Sequence, residues 1–148
     1  MILQKISIVN YKNIEQETLD FSPHINCFVG KNGQGKTNIL DAVYYLSFCK
    51  SSTNPNDMHN IRHGEEYFLL QGEYRNDLDA VEKVSCSLKQ GKRKSLKRNG
   101  KDLRKLSEHM ERYLLLWCVH LTKRLLRVGA RKEEDCMIRL YLNMTCVI

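Results

Sequence analysis

The sequence has few of the features that stabilise a secreted mini-domain or place a protein in a membrane. None of its six cysteines stands at C-x-x-C spacing from another, which disfavours both a disulfide framework and a zinc site. The longest apolar run, Leu114 to Val119, is far shorter than the roughly 20 residues that span a bilayer. Met1 to Tyr11 alternates like a strand and lacks the pattern of a signal peptide. We therefore expect a cytoplasmic protein without a membrane partner.

One segment matches the phosphate-loop pattern GxxxxGK[ST] at every fixed position. An apolar run, Ile25 to Val29, precedes it and has the composition of a buried strand. Apolar side chains at helical spacing follow it over residues 37–48. Strand, glycine-rich loop and helix in this order predict a nucleotide phosphate site. The predicted site residues are Gly30, Lys31, Asn32, Gly33, Gln34, Gly35, Lys36 and Thr37.

Each residue type in this loop has a chemical reason. The glycines allow the backbone N–H groups to turn toward a phosphate, and the start of the helix adds partial positive charge. Lys36 is placed to reach the β- and γ-phosphates, and the Thr37 hydroxyl is placed to bind Mg²⁺. The sequence therefore predicts ATP or GTP as ligand, with Mg²⁺ as its companion ion.

The carboxylate that completes a hydrolytic site is missing from the pattern. Phosphate-loop enzymes place an Asp or Glu at the end of an apolar strand to position the metal and water. After residue 37, Asp77 and Asp79 follow polar residues, and Asp135 follows a run of charged residues. The sequence thus predicts nucleotide binding without hydrolysis.

Positive charge is concentrated in one short stretch of the chain. Residues 1–88 carry 8 basic and 11 acidic side chains, whereas residues 89–105 carry 9 basic and 1 acidic. Such density can neutralise several nucleic-acid phosphates, although a solvated hairpin explains the same run. The candidate DNA contacts are Lys92, Arg93, Lys94, Lys97, Arg98 and Lys101.

The remaining patterns predict an α/β fold with a β meander. Asn99-Gly100 is a strong signal for a type I′ hairpin turn, and the polar run from Lys50 to Met58 indicates a loop. Further strands are predicted over Ile2–Ile14, Thr18–Phe21, Tyr67–Tyr74 and Val81–Leu88. The chain has 148 residues and no internal repeat, which suits a single domain.

Several of these stretches together resemble the RecF family. Tyr11-Lys12-Asn13 and the following GKNGQGKTNILDAVYYLS are similar to the start of that family's ATPase head, which is built like SMC and ABC heads. Leu96 to Lys101 and Leu106 to His109 match in order and content, so the resemblance covers residues 1 to about 110. The fold it implies is a P-loop NTPase: an incomplete, ABC/SMC-head-like N-terminal lobe.

The resemblance implies a function for this lobe. RecF-like proteins bind ATP with Mg²⁺, form ATP-dependent homodimers and bind single-stranded or gapped DNA. They act with RecO and RecR in recombinational repair, replication restart and the SOS response. Lys12 and Asn13 match the family's turn near the nucleotide, although a simple strand-end turn explains them equally well. The family's β meander contributes to its DNA-facing side.

Residues 111–148 depart from the family pattern. A RecF chain continues with a VxxxPxD strand and a GGS-ERR segment, whereas this chain reads ERYLLLWCVHLTKRLL. Permissible codons for Glu111 to Ile148, read in a displaced frame, can encode a peptide that resembles the family's continuation. We expect a RecF-like lobe over residues 1–110 and an off-frame, non-family tail over residues 111–148. A genuine lineage-specific C-terminus is the alternative.

Two other functions fit parts of the sequence. Another SMC-type ATPase head fragment would share the phosphate loop, but would not be expected to share the stretch from Lys97 to His109. A small basic nucleic-acid-binding module with a vestigial loop would use only the positive stretch. Replacing Lys36 separates the module from the ATPase lobe, since only the latter depends on the loop.

Overall fold

A six-stranded antiparallel sheet forms the main body of the protein. The computed structural model describes residues 2–31, 33–76, 78–103, 109 and 144–147. The sheet has the strand order β2-β1-β4-β5-β6-β7. Its strands are β1 (Ile2–Tyr11), β2 (Ile14–Asp20), β4 (Tyr67–Arg75), β5 (Val81–Lys89), β6 (Ser95–Arg98) and β7 (Lys101–Asp102). The predicted meander is present, and the strand predicted to run through Ile14 is divided by a turn at Lys12 and Asn13.

Alternating side chains give this sheet one buried face. Side chains two positions apart point to the same side of a strand, so each strand contributes every second residue to the core. The fully buried large residues of the sheet include Ile6, Ile8, Phe68, Leu70 and Val84. The opposite face carries polar residues such as Ser7, whose hydroxyl lies 3.0 Å from that of Thr18 on the neighbouring strand. The alternation explains why an antiparallel sheet could be predicted from the sequence.

The hairpin between β6 and β7 has the predicted turn. Asn99 and Gly100 have positive φ angles of 48° and 79°, as a type I′ turn requires at both central positions. The Asn99 side chain also accepts a hydrogen bond from the backbone N–H of Lys83 at 2.8 Å. This bond ties the turn to β5.

Helix α1 (Lys36–Phe48) covers the buried face of the sheet. The helix was predicted over residues 37–48, and its buried apolar side chains include Leu40, Val43, Tyr45 and Leu46. The Tyr45 ring meets those of Tyr11 and Phe68 edge-on, with centroid distances of 5.9 and 5.3 Å. The buried His109 contacts the same helix, with its Nε2 2.6 Å from the Leu46 carbonyl oxygen. A 3₁₀ turn (Asp57–Asn60) follows the loop after the helix.

Strand β3 (Ile25–Phe28) leads into the phosphate loop and lies outside the large sheet. It pairs in parallel with β8 (Met144–Val147). The prediction that this segment is buried is wrong for Cys27 and Val29: both are exposed, Val29 at 76%. A strand is buried on both faces only when other layers of structure pack on both of them. Within the described ranges, the sheet that contains β3 has two strands. No helix in those ranges is long and apolar enough to cross a membrane.

Candidate nucleotide-binding site

The loop between β3 and α1 has the backbone that a phosphate site requires. Gly33 and Gly35 adopt φ angles of 87° and 90°, a region that side-chain-bearing residues rarely occupy. Gly35 is the residue that caps the helix, so α1 begins at Lys36 with no side chain on its cap. The first turn carries no acidic residue. The positive end of the helix dipole is therefore not neutralised from within the helix, which favours an anion there.

Lys36 and Thr37, the residues predicted to contact phosphate and Mg²⁺, are adjacent at the start of α1. The Lys36 ammonium donates hydrogen bonds to the carbonyl oxygens of Gly30 and Lys31, the latter at 3.0 Å, so it lies across the loop. Thr37 follows in the first helical turn and is exposed. One hydroxyl suits Mg²⁺, since this ion takes few protein ligands and completes its shell with water and substrate phosphates. Asn32 lies outside the described residues, while Gln34 is exposed.

Asp41, which no sequence pattern singled out, lies at the centre of a buried polar cluster on α1. Its carboxylate accepts hydrogen bonds from the Tyr11 hydroxyl at 2.7 Å and the Lys12 ammonium at 2.5 Å. It also accepts bonds from Ser51 and Ser52 in the loop after the helix. The available signal was its place in the Asn38 to Ala42 extension of the motif.

These bonds set the ionisation of Asp41. Burial acts to raise its pKa, but the hydrogen bonds from Lys12, Ser52, Tyr11 and Ser51 outweigh burial and hold the pKa below its ordinary value. The pKa of Tyr11 is raised by burial and by the Asp41 charge, so its hydroxyl stays a donor. The cluster therefore joins the β1–β2 turn, the helix and the following loop through a carboxylate that remains charged.

Lys94, one of the six candidate DNA contacts, is turned into the protein. Its ammonium donates to an Asp57 carboxylate oxygen at 2.7 Å and to the Cys49 carbonyl at the end of α1. It also lies 5.2 Å from the centre of the Tyr45 ring, where a cation is attracted to the aromatic face. These contacts tie the turn between β5 and β6 to the loop that follows α1.

The other five candidate DNA contacts do not form one compact patch. Lys92 and Arg93 are exposed in the β5–β6 turn, at the sheet end where β1 reaches Tyr11. Lys101 lies at the opposite end, in the β6–β7 hairpin. Lys97 lies 4.0 Å from Asp102, and Arg98 is half-buried. The structure thus spreads the charge of residues 92–101 along the length of one edge.

Comparison with known proteins agrees with this geometry. Residues 1–117 match the family model of the AAA ATPase domain, and the chain belongs to this family. The DNA replication and repair protein RecF of Phocaeicola vulgatus is 59% identical over 110 residues, which is 74% of this chain and 30% of that protein. RecF of Bacteroides thetaiotaomicron is 52% identical over the same length and shares. The RecF resemblance inferred from residues 1–110 is confirmed.

Solved structures confirm the predicted fold class. A structure of the recombination mediator RecF with ATP superimposes with a TM-score of 0.67 at 30% identity, over 71% of this chain and 28% of that one. A structure from a study of ATP-driven dimerization of SMC ATPases gives 0.68 at 19% identity, over 86% of this chain and 98% of that one. The second likeness shows the fold alone. The chain spans about 30% of the length of the curated relatives it matches.

Proposed function

We propose that this lobe binds ATP with Mg²⁺ and takes part in DNA replication and repair of the RecF type. The observation that carries the proposal is the loop itself: two glycines with positive φ lead into a helix whose first residues are Lys36 and Thr37. Homology to RecF over 110 residues, and a similar fold in a structure of RecF with ATP, support the same ligand.

The residues of the loop have distinct parts in this proposal. Backbone N–H groups from Gly33 to Lys36 would surround the β-phosphate, and the Lys36 ammonium would leave the loop carbonyls for phosphate oxygens. Thr37 would hold Mg²⁺, which neutralises phosphate charge when bound. Gly30, Lys31, Asn32 and Gln34 complete the loop.

DNA binding is the second part of the proposal. Lys92, Arg93, Lys97, Arg98 and Lys101 supply positive charge along one edge, and single-stranded or gapped DNA is the ligand implied by the RecF resemblance. Lys94 differs from the others because its ammonium already has protein partners. By the same resemblance, the intact protein would form an ATP-dependent homodimer, act with RecO and RecR, and support recombinational repair and the SOS response.

The domain organisation is also part of the proposal. Residues 1–110 form the family lobe, and residues 111–148 are an off-frame tail, of which residues 144–147 pair with β3. Resequencing the locus from codon 105 onward tests this division. A displaced frame that encodes a Walker B strand and a signature motif would support it, and a record with no such frame would overturn it.

ATP binding is tested by comparing the protein with Lys36→Ala and with Lys83→Ala. Isothermal titration with Mg-ATP should give binding for the parent and for Lys83→Ala, and a loss of at least about tenfold for Lys36→Ala. Lys83 is the control because Lys83→Ala removes the same charge from an exposed position on β5, outside the proposed sites. Binding to single-stranded DNA without any ATP binding by the parent would favour the basic module instead. Phosphate release measured alongside tests the prediction of binding without hydrolysis.

A further inference from the structure

Asn13 is an exposed residue that contacts the phosphate loop from outside it. It lies in the turn between β1 and β2, far from the loop in sequence. Its side-chain Nδ2 donates to the Gly33 carbonyl oxygen at 3.3 Å. Its Oδ1 accepts from the side chain of Asn38, in the first turn of α1, at 2.7 Å. The Asn13 amide thus bridges the loop and the start of the helix.

The same amide also lies against the loop backbone. A Cβ added to Gly35 would lie 3.0 Å from the Asn13 Oδ1. A contact of that length is tighter than most that real Cβ atoms make, so the amide packs closely where Gly35 has no side chain. The Gly33 carbonyl oxygen can only accept a hydrogen bond, so it fixes Nδ2 as the end of the Asn13 amide that faces it and leaves Oδ1 to accept from Asn38.

This arrangement bears on the direction of the loop's dipoles. A phosphate site works when backbone N–H groups face the anion, and a carbonyl oxygen turned inward would repel it. The Gly33 carbonyl oxygen is bonded to the Asn13 amide, a donor that belongs to the β1–β2 turn and not to the loop itself. A glycine with φ of 87° is free to rotate more than other residues. A donor from outside the loop, such as the Asn13 amide, can therefore hold the Gly33 peptide in the anion-binding orientation.

We propose that Asn13 is a positioning residue that holds the Gly33 carbonyl away from the phosphate-binding side of the loop. The backbone N–H groups of the loop are then preformed to bind a nucleoside triphosphate. The inference rests on the proposed function of the Gly30 to Thr37 loop. It adds a residue outside the motif, acting through the protein and not through contact with the nucleotide. Preformed donors bind more tightly because less ordering accompanies binding.

The test compares Asn13→Ala and Asn13→Asp with the parent and with Gln16→Ala. Gln16 is the matched control, since it carries an amide and is exposed on the adjoining strand β2. Asn13→Ala should raise the Kd for Mg-ATP by several-fold, up to about tenfold, which corresponds to the net contribution of one exposed hydrogen bond. Asn13→Asp keeps the acceptor for Asn38 but loses the donor and adds negative charge beside the loop, so its loss should be larger.

Two further readouts separate positioning from a structural role. The Asn13→Asp loss should shrink as salt rises, whereas the Asn13→Ala loss should not, because only the former contains charge repulsion. The thermal midpoints of both variants without ATP should stay within about 2 °C of the parent, since Asn13 is exposed. Parallel losses of midpoint and affinity would overturn the inference.

The outcomes also distinguish this inference from the proposed function. If the parent binds ATP and Asn13→Ala binds it equally well, the inference fails and the nucleotide site stands. If the parent and Lys36→Ala both fail to bind, the proposed function fails and this inference with it.

Discussion

The antiparallel sheet differs from the phosphate-loop unit, which consists of β3, β8 and the loop from Gly30 to Thr37. Among the described residues the two differ in how completely their strands are paired and buried. In the sheet, β4 pairs along its whole length with β5 and over most of its length with β1, and α1 covers one face. In the phosphate-loop unit, β3 pairs with four residues of β8 and leaves Cys27 and Val29 exposed. Helix α1 belongs to both regions: it buries Tyr45 and Leu46 toward the sheet and presents its N-terminus to the loop, where the Asn13 amide of the β1–β2 turn also contacts Gly33. The proposed nucleotide site thus adjoins the first turn of a helix whose following turns pack against the sheet.

The largest effect should come from the aromatic centre of the sheet. Phe68→Ala removes a fully buried ring that packs against Tyr11 and Tyr45, and should lower the free energy of unfolding by about 3–5 kcal/mol. Urea denaturation followed by circular dichroism measures it. Tyr67→Ala, one residue away and 43% exposed, is the control and should cost much less. Equal costs for the two variants would contradict the assignment of the core.

A somewhat smaller loss is expected from the cluster that joins α1 to the sheet. Asp41→Asn leaves the Lys12 ammonium, which is 13% exposed, without its charge partner, and should destabilise by about 3 kcal/mol. Adding Lys12→Met should recover part of the loss, because the orphaned charge is then removed. A double-mutant cycle by denaturation measures the coupling. Strictly additive losses would show that the two groups do not interact.

The same carboxylate makes the fold sensitive to acid. Burial raises the pKa of Asp41, but its hydrogen bonds bring the value below that of the unfolded chain, so the charged form is favoured by folding. Its contribution to stability is present above the unfolded pKa of about 4 and is lost as pH falls through the lower folded value. Unfolding measured from pH 6 to pH 3 should show a shallower decline in Asp41→Asn than in the parent. An identical decline of stability with pH in both proteins would show that Asp41 does not contribute to the acid sensitivity.

Lys94 and Lys92 should separate stability from DNA affinity. Lys94→Met breaks the bonds to Asp57 and the Cys49 carbonyl and should cost about 1–3 kcal/mol. Lys92→Ala, an exposed change in the same turn, should cost less than about 0.5 kcal/mol but weaken binding to single-stranded DNA. Fluorescence anisotropy at two salt concentrations, with denaturation of each variant, compares them. A reversed pattern would mean that Lys94, not Lys92, faces the nucleic acid.

The smallest stability effect should lie in the phosphate loop. Lys36 bonds only loop carbonyls among the described contacts, so Lys36→Ala should leave the unfolding free energy within about 0.5 kcal/mol of the parent. The same change should remove nucleotide binding. A large loss of stability would mean that the loop supports the sheet, and would end the separation between the two regions.

Prediction from the sequence succeeded where the pattern is local. Strands β4 and β5 ended within a residue of their predicted limits, because period-two alternation marks a sheet with one buried face. The phosphate loop and the hairpin at Asn99 were predictable because contiguous residues set their backbone angles. The prediction was wrong about the burial of the segment before the loop, because an apolar run does not say how many layers will cover it.

The sequence by itself determined the phosphate loop, the helix that follows it and the strands that carry the basic residues. Only the tertiary structure decided which charges are available. Lys12 reaches Asp41 across 29 positions, and Lys94 reaches Asp57 across 37. An ion pair depends on distance in space, and no periodicity of a short segment encodes contacts over such separations. Lys94 and Lys92 look equivalent in one charged run, yet Lys94 is bonded to Asp57 inside the fold and Lys92 faces solvent.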